Sequence, residues 1–167
     1  MIYFNLFKSI VFIGLSSWIT MAATNNMMDP GTNSYLIDNM VSMQGLIDDP
    51  IFGNGLESRS IILENFGKYC MYFIISVQYI IAGFLWRAAI YYVIFTIKNT
   101  GTQKACDAAN LALSLFASLW LWFLCGGLYF AYWLKFSGPQ NVHLLLLIIS
   151  ILAFLMNNFQ QPQKGEN

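Results

Sequence analysis

Arg87 stands in the middle of "YIIAGFLWRAAIYYVIF" (Tyr79–Phe95), a stretch that is otherwise almost wholly apolar. A guanidinium carries its N–H donors in a rigid planar fork, which suits phosphate, carboxylate or carbonyl oxygens. Three uses are open to it. Arg87 can snorkel along its own stem to headgroup phosphates, face the bundle interior as a site for an anionic or carbonyl-bearing ligand, or meet a separate membrane subunit. Trp86 and Tyr91 offer ring faces beside it. Gln78 lies about two and a half turns earlier, on the opposite side of the same helix, so the two do not form one site. An interhelical hydrogen bond is the expectation for Gln78.

Other reactive groups are sparse. The single histidine, His143, cannot build a zinc site or ligate a haem pair. Cys70, Cys106 and Cys125 lie in or beside apolar runs without a CxxC, and read as unpaired thiols packing as small hydrophobes. The adjacent Asp48 and Asp49 read as a solvated turn, since calcium takes about six to eight oxygens. There is no GxSxG, no HExxH and no phosphate-binding glycine loop. Asp107, at the end of an apolar run, is the nearest thing to an intramembrane carboxylate of the kind a proton-coupled carrier uses. The expectation is no catalytic residue, no metal, no cofactor, and a chain that is not an enzyme.

The elements that must position these residues follow from hydropathy. Of 167 residues 57% are hydrophobic and 10% charged, against about 25% charged in a soluble domain; mean hydropathy is +0.57. Eight basic and eight acidic residues cancel, leaving no overall field to attract nucleic acid. Runs of about 20 apolar residues span a bilayer, and four qualify: residues 2–23, 69–97, 106–134 and 139–158. This predicts an all-α, multi-pass membrane protein, a four-transmembrane-helix bundle with one acidic extracytoplasmic loop at 24–66. The first run has the alternative reading of a cleaved signal peptide, with Lys8 in its basic region and a small-residue site at "TMAAT".

Lys98 and Lys104 sit in the short loop 98–105, and basic short loops stay cytoplasmic. The loop 24–66 carries Asp29, Asp38, Asp48, Asp49, Glu57 and Glu64 against Arg59. Both termini, including the polar tail 159–167, are then expected inside, in a bacterial inner membrane. Within the outer loop "DPG" marks a turn, and a short amphipathic helix over 33–43, capped by Thr32 or Asn33, would show Leu36, Met40 and Met43 as one stripe. Ser137 is placed to cap the fourth crossing, with Pro139 in its first turn.

The second and third crossings fold as a matched hairpin that sets Arg87 level with Phe116. Asp107 is then roughly 13 Å nearer the cytoplasm, which argues against an Arg87–Asp107 ion pair. The third crossing is rich in small residues, alanines together with Gly126 and Gly127, so it reads as the centre of the bundle with close helix approach at both glycines.

"SMQGLIDD", "SRSI" (Ser58–Ile61), "CGGLYFAYW" (Cys125–Trp133) and "SGPQN" together resemble the motifs of a bacterial family of predicted small integral membrane proteins, a domain of unknown function. The resemblance covers roughly residues 1 to 158 and implies four crossings with a long polar loop after the first. Through these motifs Gly126, Gly127, Trp133 and Gln140 join Arg87 and Gln78 as candidate polar or packing positions. Leu128 stands where the family carries a glutamate after the glycine pair, and Gln78 where it often carries an acid. The function expected is a non-catalytic accessory or scaffold subunit of a membrane assembly, with lipid and other membrane proteins or its own copies as partners. The alternative is a small-solute or lipid-binding transporter or channel with Arg87 as polar determinant.

Overall fold

Apolar chain in a bilayer satisfies its backbone by coiling into helices, and the described residues of the computed structural model form six α-helices and no strand. These residues are 2–47, 49, 51–52, 55–98 and 102–159. Four helices are long and apolar enough to cross a membrane: α1 (Ile2–Met28), α4 (Phe66–Lys98), α5 (Thr102–Tyr129) and α6 (Ser137–Asn158). Two short helices, α2 (Pro30–Val41) and α3 (Gln44–Ile47), lie between the first two crossings. This is an all-helical multi-pass bundle. Residues Asn99–Gly101 of the short loop, Asp48, and 160–167 of the polar tail lie outside the described residues.

Several helix ends differ from the expected ones, each for a local reason. The first crossing continues past Ala23 to Met28, because nothing in "TNNMM" breaks it before a proline does. The residue before proline is disfavoured in the α region, and Asp29, at φ −130° and ψ 76°, is the break. It also caps the next helix. Its carboxylate accepts the Thr32 N–H at 3.1 Å and the Thr32 hydroxyl at 2.7 Å, and these bonds hold its pKa below the usual carboxylate range. The helix expected over 33–43 therefore starts at Pro30, and Thr32 and Asn33 lie inside it rather than capping it.

The third crossing stops at Tyr129 rather than 134. Ala131 adopts the left-handed conformation, φ 51°, and Tyr132–Leu134 closes a 3-10 turn. Arg59 supplies the missing cap, donating to the Tyr129 carbonyl at 3.0 Å and stacking over the Tyr129 ring. In α6 the cap position belongs to Phe136, with no side-chain hydrogen bond, so Ser137 is the first helical residue instead of the cap.

α1 packs along α4, α4 against α5, and α5 against α6, while α1 and α6 meet only narrowly. The alanine face of α5 is the contact surface: Ala105, Ala109 and Ala112 are fully buried. α4 shares the central position expected of the third crossing alone, since α1, α2 and α5 all pack on it.

The segment between α1 and α4 is laid over the bundle by α2. Its inward stripe is Ser34, Ile37, Asp38 and Val41, not the expected Leu36, Met40 and Met43. Ile37 packs on Met71, Ile74 and Ile75, and Asp38 accepts the Gly67 N–H at 2.6 Å. Met43 is buried instead with Leu46 and Ala131 under the α5–α6 turn. Asp49 is more than a solvated turn residue. It accepts the N–H groups of Ile51 and Phe52 at 2.9 and 2.8 Å and pairs with Lys135. The Lys135 ammonium, followed by the two backbone bonds, lowers its pKa to about 2.

Candidate functional site

The candidate residues do not converge. Arg87 lies on the exposed face of α4, its guanidinium 5.5 Å from the Tyr91 ring centre, so it does not enter the core. Gln78, on the opposite face, is buried and accepts from Asn26 Nδ2 at 2.9 Å, and Asn26 accepts in turn from Asn33 at 2.8 Å. This ladder joins α4 to α1 and α2. Gln140 donates to the Leu124 carbonyl at 3.3 Å and rests against Gly127, where a Cβ would collide with its side-chain oxygen. A Cβ on Gly126 meets open space, so the close approach expected at both glycines exists at Gly127 alone. Trp133 is half exposed on the 3-10 turn, and Leu128 is exposed as well. Arg87 and Asp107 are not paired: among the described residues the one ion pair is Lys135–Asp49.

The densest polar contact lies elsewhere, at the end of the bundle where α1 and α5 begin and α4 and α6 finish. Its hub is Asn157, 2% exposed. The Asn157 amide donates to the Cys106 carbonyl at 3.1 Å and to Asn110 Oδ1 at 2.7 Å. Its side-chain oxygen accepts the Tyr92 hydroxyl. Its backbone carbonyl accepts Lys8 Nζ at 2.7 Å. One residue of α6 thus binds α1, α4 and α5. Around it Asn158 exchanges hydrogen bonds with Asn110, both at 2.9 Å, and Ser9 meets the Thr96 hydroxyl at 3.2 Å.

Lys8 is the unusual member. It is 6% exposed and no carboxylate among the described residues lies within salt-bridge distance. Two things make its burial tolerable. The carbonyl it binds belongs to the last turn of α6, where unsatisfied carbonyls and the helix dipole favour a cation. The ammonium also sits 4.7 Å from the Phe4 ring centre and 5.7 Å from that of Tyr92. Lys8 is to α6 what Arg59 is to α5, a basic side chain closing a helix end from another part of the chain.

A second layer is aromatic. Trp120 packs between Trp18, Phe116, Phe123 and His143, with ring centres 5.3 to 5.9 Å apart. Trp120 Nε1 and His143 Nδ1 are buried there without a hydrogen-bond partner. Chemically, the node can fix helix positions. Among the described residues its hydrogen bonds join hydroxyl, thiol, amide and ammonium groups.

Sequence reasoning missed this node, although a signal for it exists. Asn5, Ser9, Phe12, Ser16, Ile19 and Ala23 recur every three or four residues and are all buried. The polar members of α1 therefore share the core-facing stripe with its apolar ones. Lys8 falls beside that stripe and reads equally well as the basic start of a signal peptide.

No curated protein and no solved structure matches the chain. A family model described as "Predicted small integral membrane protein (DUF2165)" matches residues 4–160, which takes in the four long helices save the first two residues of α1, the segment between α1 and α4, and the Asn157 node. With its apolar crossings and that match over nearly its whole length, the chain belongs to this family of predicted small integral membrane proteins.

Proposed function

We propose that the protein is a non-catalytic membrane subunit, a preassembled four-helix body that supports or accompanies other proteins in the bilayer. The observation that carries this reading is the Asn157 node. Its polar groups, which in an enzyme or carrier would face a substrate, are used to join α1, α4, α5 and α6. The test is purification of the full chain in a mild detergent with everything that copurifies identified. A stoichiometric membrane protein, or a defined oligomer of the chain, is the expected result. A monomer carrying one tightly bound small solute would overturn the reading in favour of a carrier.

In this proposal both termini face the cytoplasm. Lys98 and Lys104 flank the short loop, and Lys8 and Arg87 lie in the same half of the bundle, as expected of a cytoplasmic side. The acidic segment after α1 then lies outside. Reporters active on only one side of the membrane, inserted at Gly55 or fused after Asn167, should read outside and inside respectively. The reverse pattern would refute the orientation.

A further inference from the structure

Lys8, Arg59 and Lys135 have intramolecular acceptors, whereas Arg87 and Lys104 have no carboxylate within salt-bridge distance among the described residues. These two line one groove between α4 and α5. Its walls are Phe84, Arg87 and Tyr91 from α4 with Lys104, Asp107 and Leu111 from α5, and Ala108 leaves the floor open. The volume is about 390 Å³. Asp107 is the one carboxylate lining it and accepts from Gln103 at 2.7 Å.

Depth decides what such a groove can hold. α4 has 33 residues, about 50 Å at 1.5 Å per residue, so roughly 10 Å extends beyond each face of a hydrocarbon layer about 30 Å thick. Arg87 precedes the end of α4 at Lys98 by about 16 Å, which places its backbone some 6 Å inside the hydrocarbon boundary. An arginine stem spans that distance. Lys104 lies in the first turn of α5, so both cations reach the phosphate level, above the apolar side chains of Phe84 and Leu111.

We infer that this groove holds an anionic phospholipid, its phosphate between Arg87 and Lys104 and an acyl chain descending past Phe84 and Leu111. The inference does not depend on a protein partner. Simple snorkelling would use the phosphate of any phospholipid. Two cations against one carboxylate instead favour a lipid with net negative charge.

The test measures lipid retention by the full chain in mild detergent, titrated with phosphatidylglycerol, phosphatidylcholine or inorganic phosphate. The wild type should retain phosphatidylglycerol in preference to phosphatidylcholine. Arg87→Gln and Lys104→Gln should each lower that preference about fivefold, as a cation near an anionic headgroup implies, while Arg87→Lys keeps most of it. Asp107→Asn should raise it. Equal retention of both lipids by the wild type, or an unchanged preference in both glutamine variants, would overturn the inference. So would displacement of the lipid by inorganic phosphate at equal concentration, which would make the groove a free-anion site. Arg87 is exposed, so its variants should elute and resist thermal aggregation like the wild type; misfolding of both Arg87→Gln and Arg87→Lys would show a structural role instead.

Discussion

Asn157→Leu should destabilise the bundle by about 2–4 kcal/mol. It leaves the Tyr92 hydroxyl without a partner and takes one bond each from the Asn110 side-chain oxygen and the Cys106 carbonyl, which keep another. An interhelical hydrogen bond in a membrane contributes only about 0.6 kcal/mol on average, but a buried polar group left unpaired costs about 1–3 kcal/mol. The greater affinity of leucine for hydrocarbon offsets part of the loss. Thermal aggregation in detergent provides the measurement, and Tyr92→Phe completes a double-mutant cycle. Because phenylalanine removes the orphaned hydroxyl, the double variant should be less unstable than the two single losses added together. An Asn157→Leu protein that aggregates at the wild-type temperature would show that the node holds nothing.

At the other end of the molecule, Gly67→Ala should release the segment between α1 and α4. A Cβ there would run into the Ser34 backbone carbonyl and approach the Asp38 carboxylate at 2.7 to 2.8 Å. A backbone atom cannot swing aside as a side-chain tip can, so α2 must lift from α4 and the Gly67–Asp38 hydrogen bond opens. Overpacking of this kind costs about 1–3 kcal/mol. The sensitive readout is proteolysis of the segment between α1 and α4, which should quicken about tenfold for each 1.4 kcal/mol lost locally. Unchanged proteolysis would mean that α2 is not seated as described.

The crossings were legible because twenty apolar residues in a row have few alternatives. Alanines 105, 109 and 112 were legible as a contact face for a similar reason: in lipid, close approach selects small residues. What the sequence left open was which polar groups meet. Asn157 and Lys8 lie 149 residues apart, and no local pattern reports a pairing set by the register of four helices. Arg87 stands out in the sequence because its neighbours are apolar, yet that contrast exists along the chain and not in space, where its face is open. Gly126 and Gly127 show the same limit. Adjacent positions on a helix point about 100° apart, so only one of them could face Gln140. The helix ends were misplaced where a single residue decides them, Asp29 through the following proline and Ala131 through a left-handed turn.

The Lys8–Asn157 contact has a consequence for how the chain matures. α1 is made before α6 and carries a cation that belongs against a carbonyl of α6, so Lys8 lacks its native acceptor until α6 has been made. The last turn of α6 supplies that acceptor, and with it the partner of Tyr92. A chain cut short before Asn157 keeps its first three crossings but leaves the Lys8 ammonium and the Tyr92 phenol without their native acceptors. The sixth helix thereby closes a contact that the first one opens.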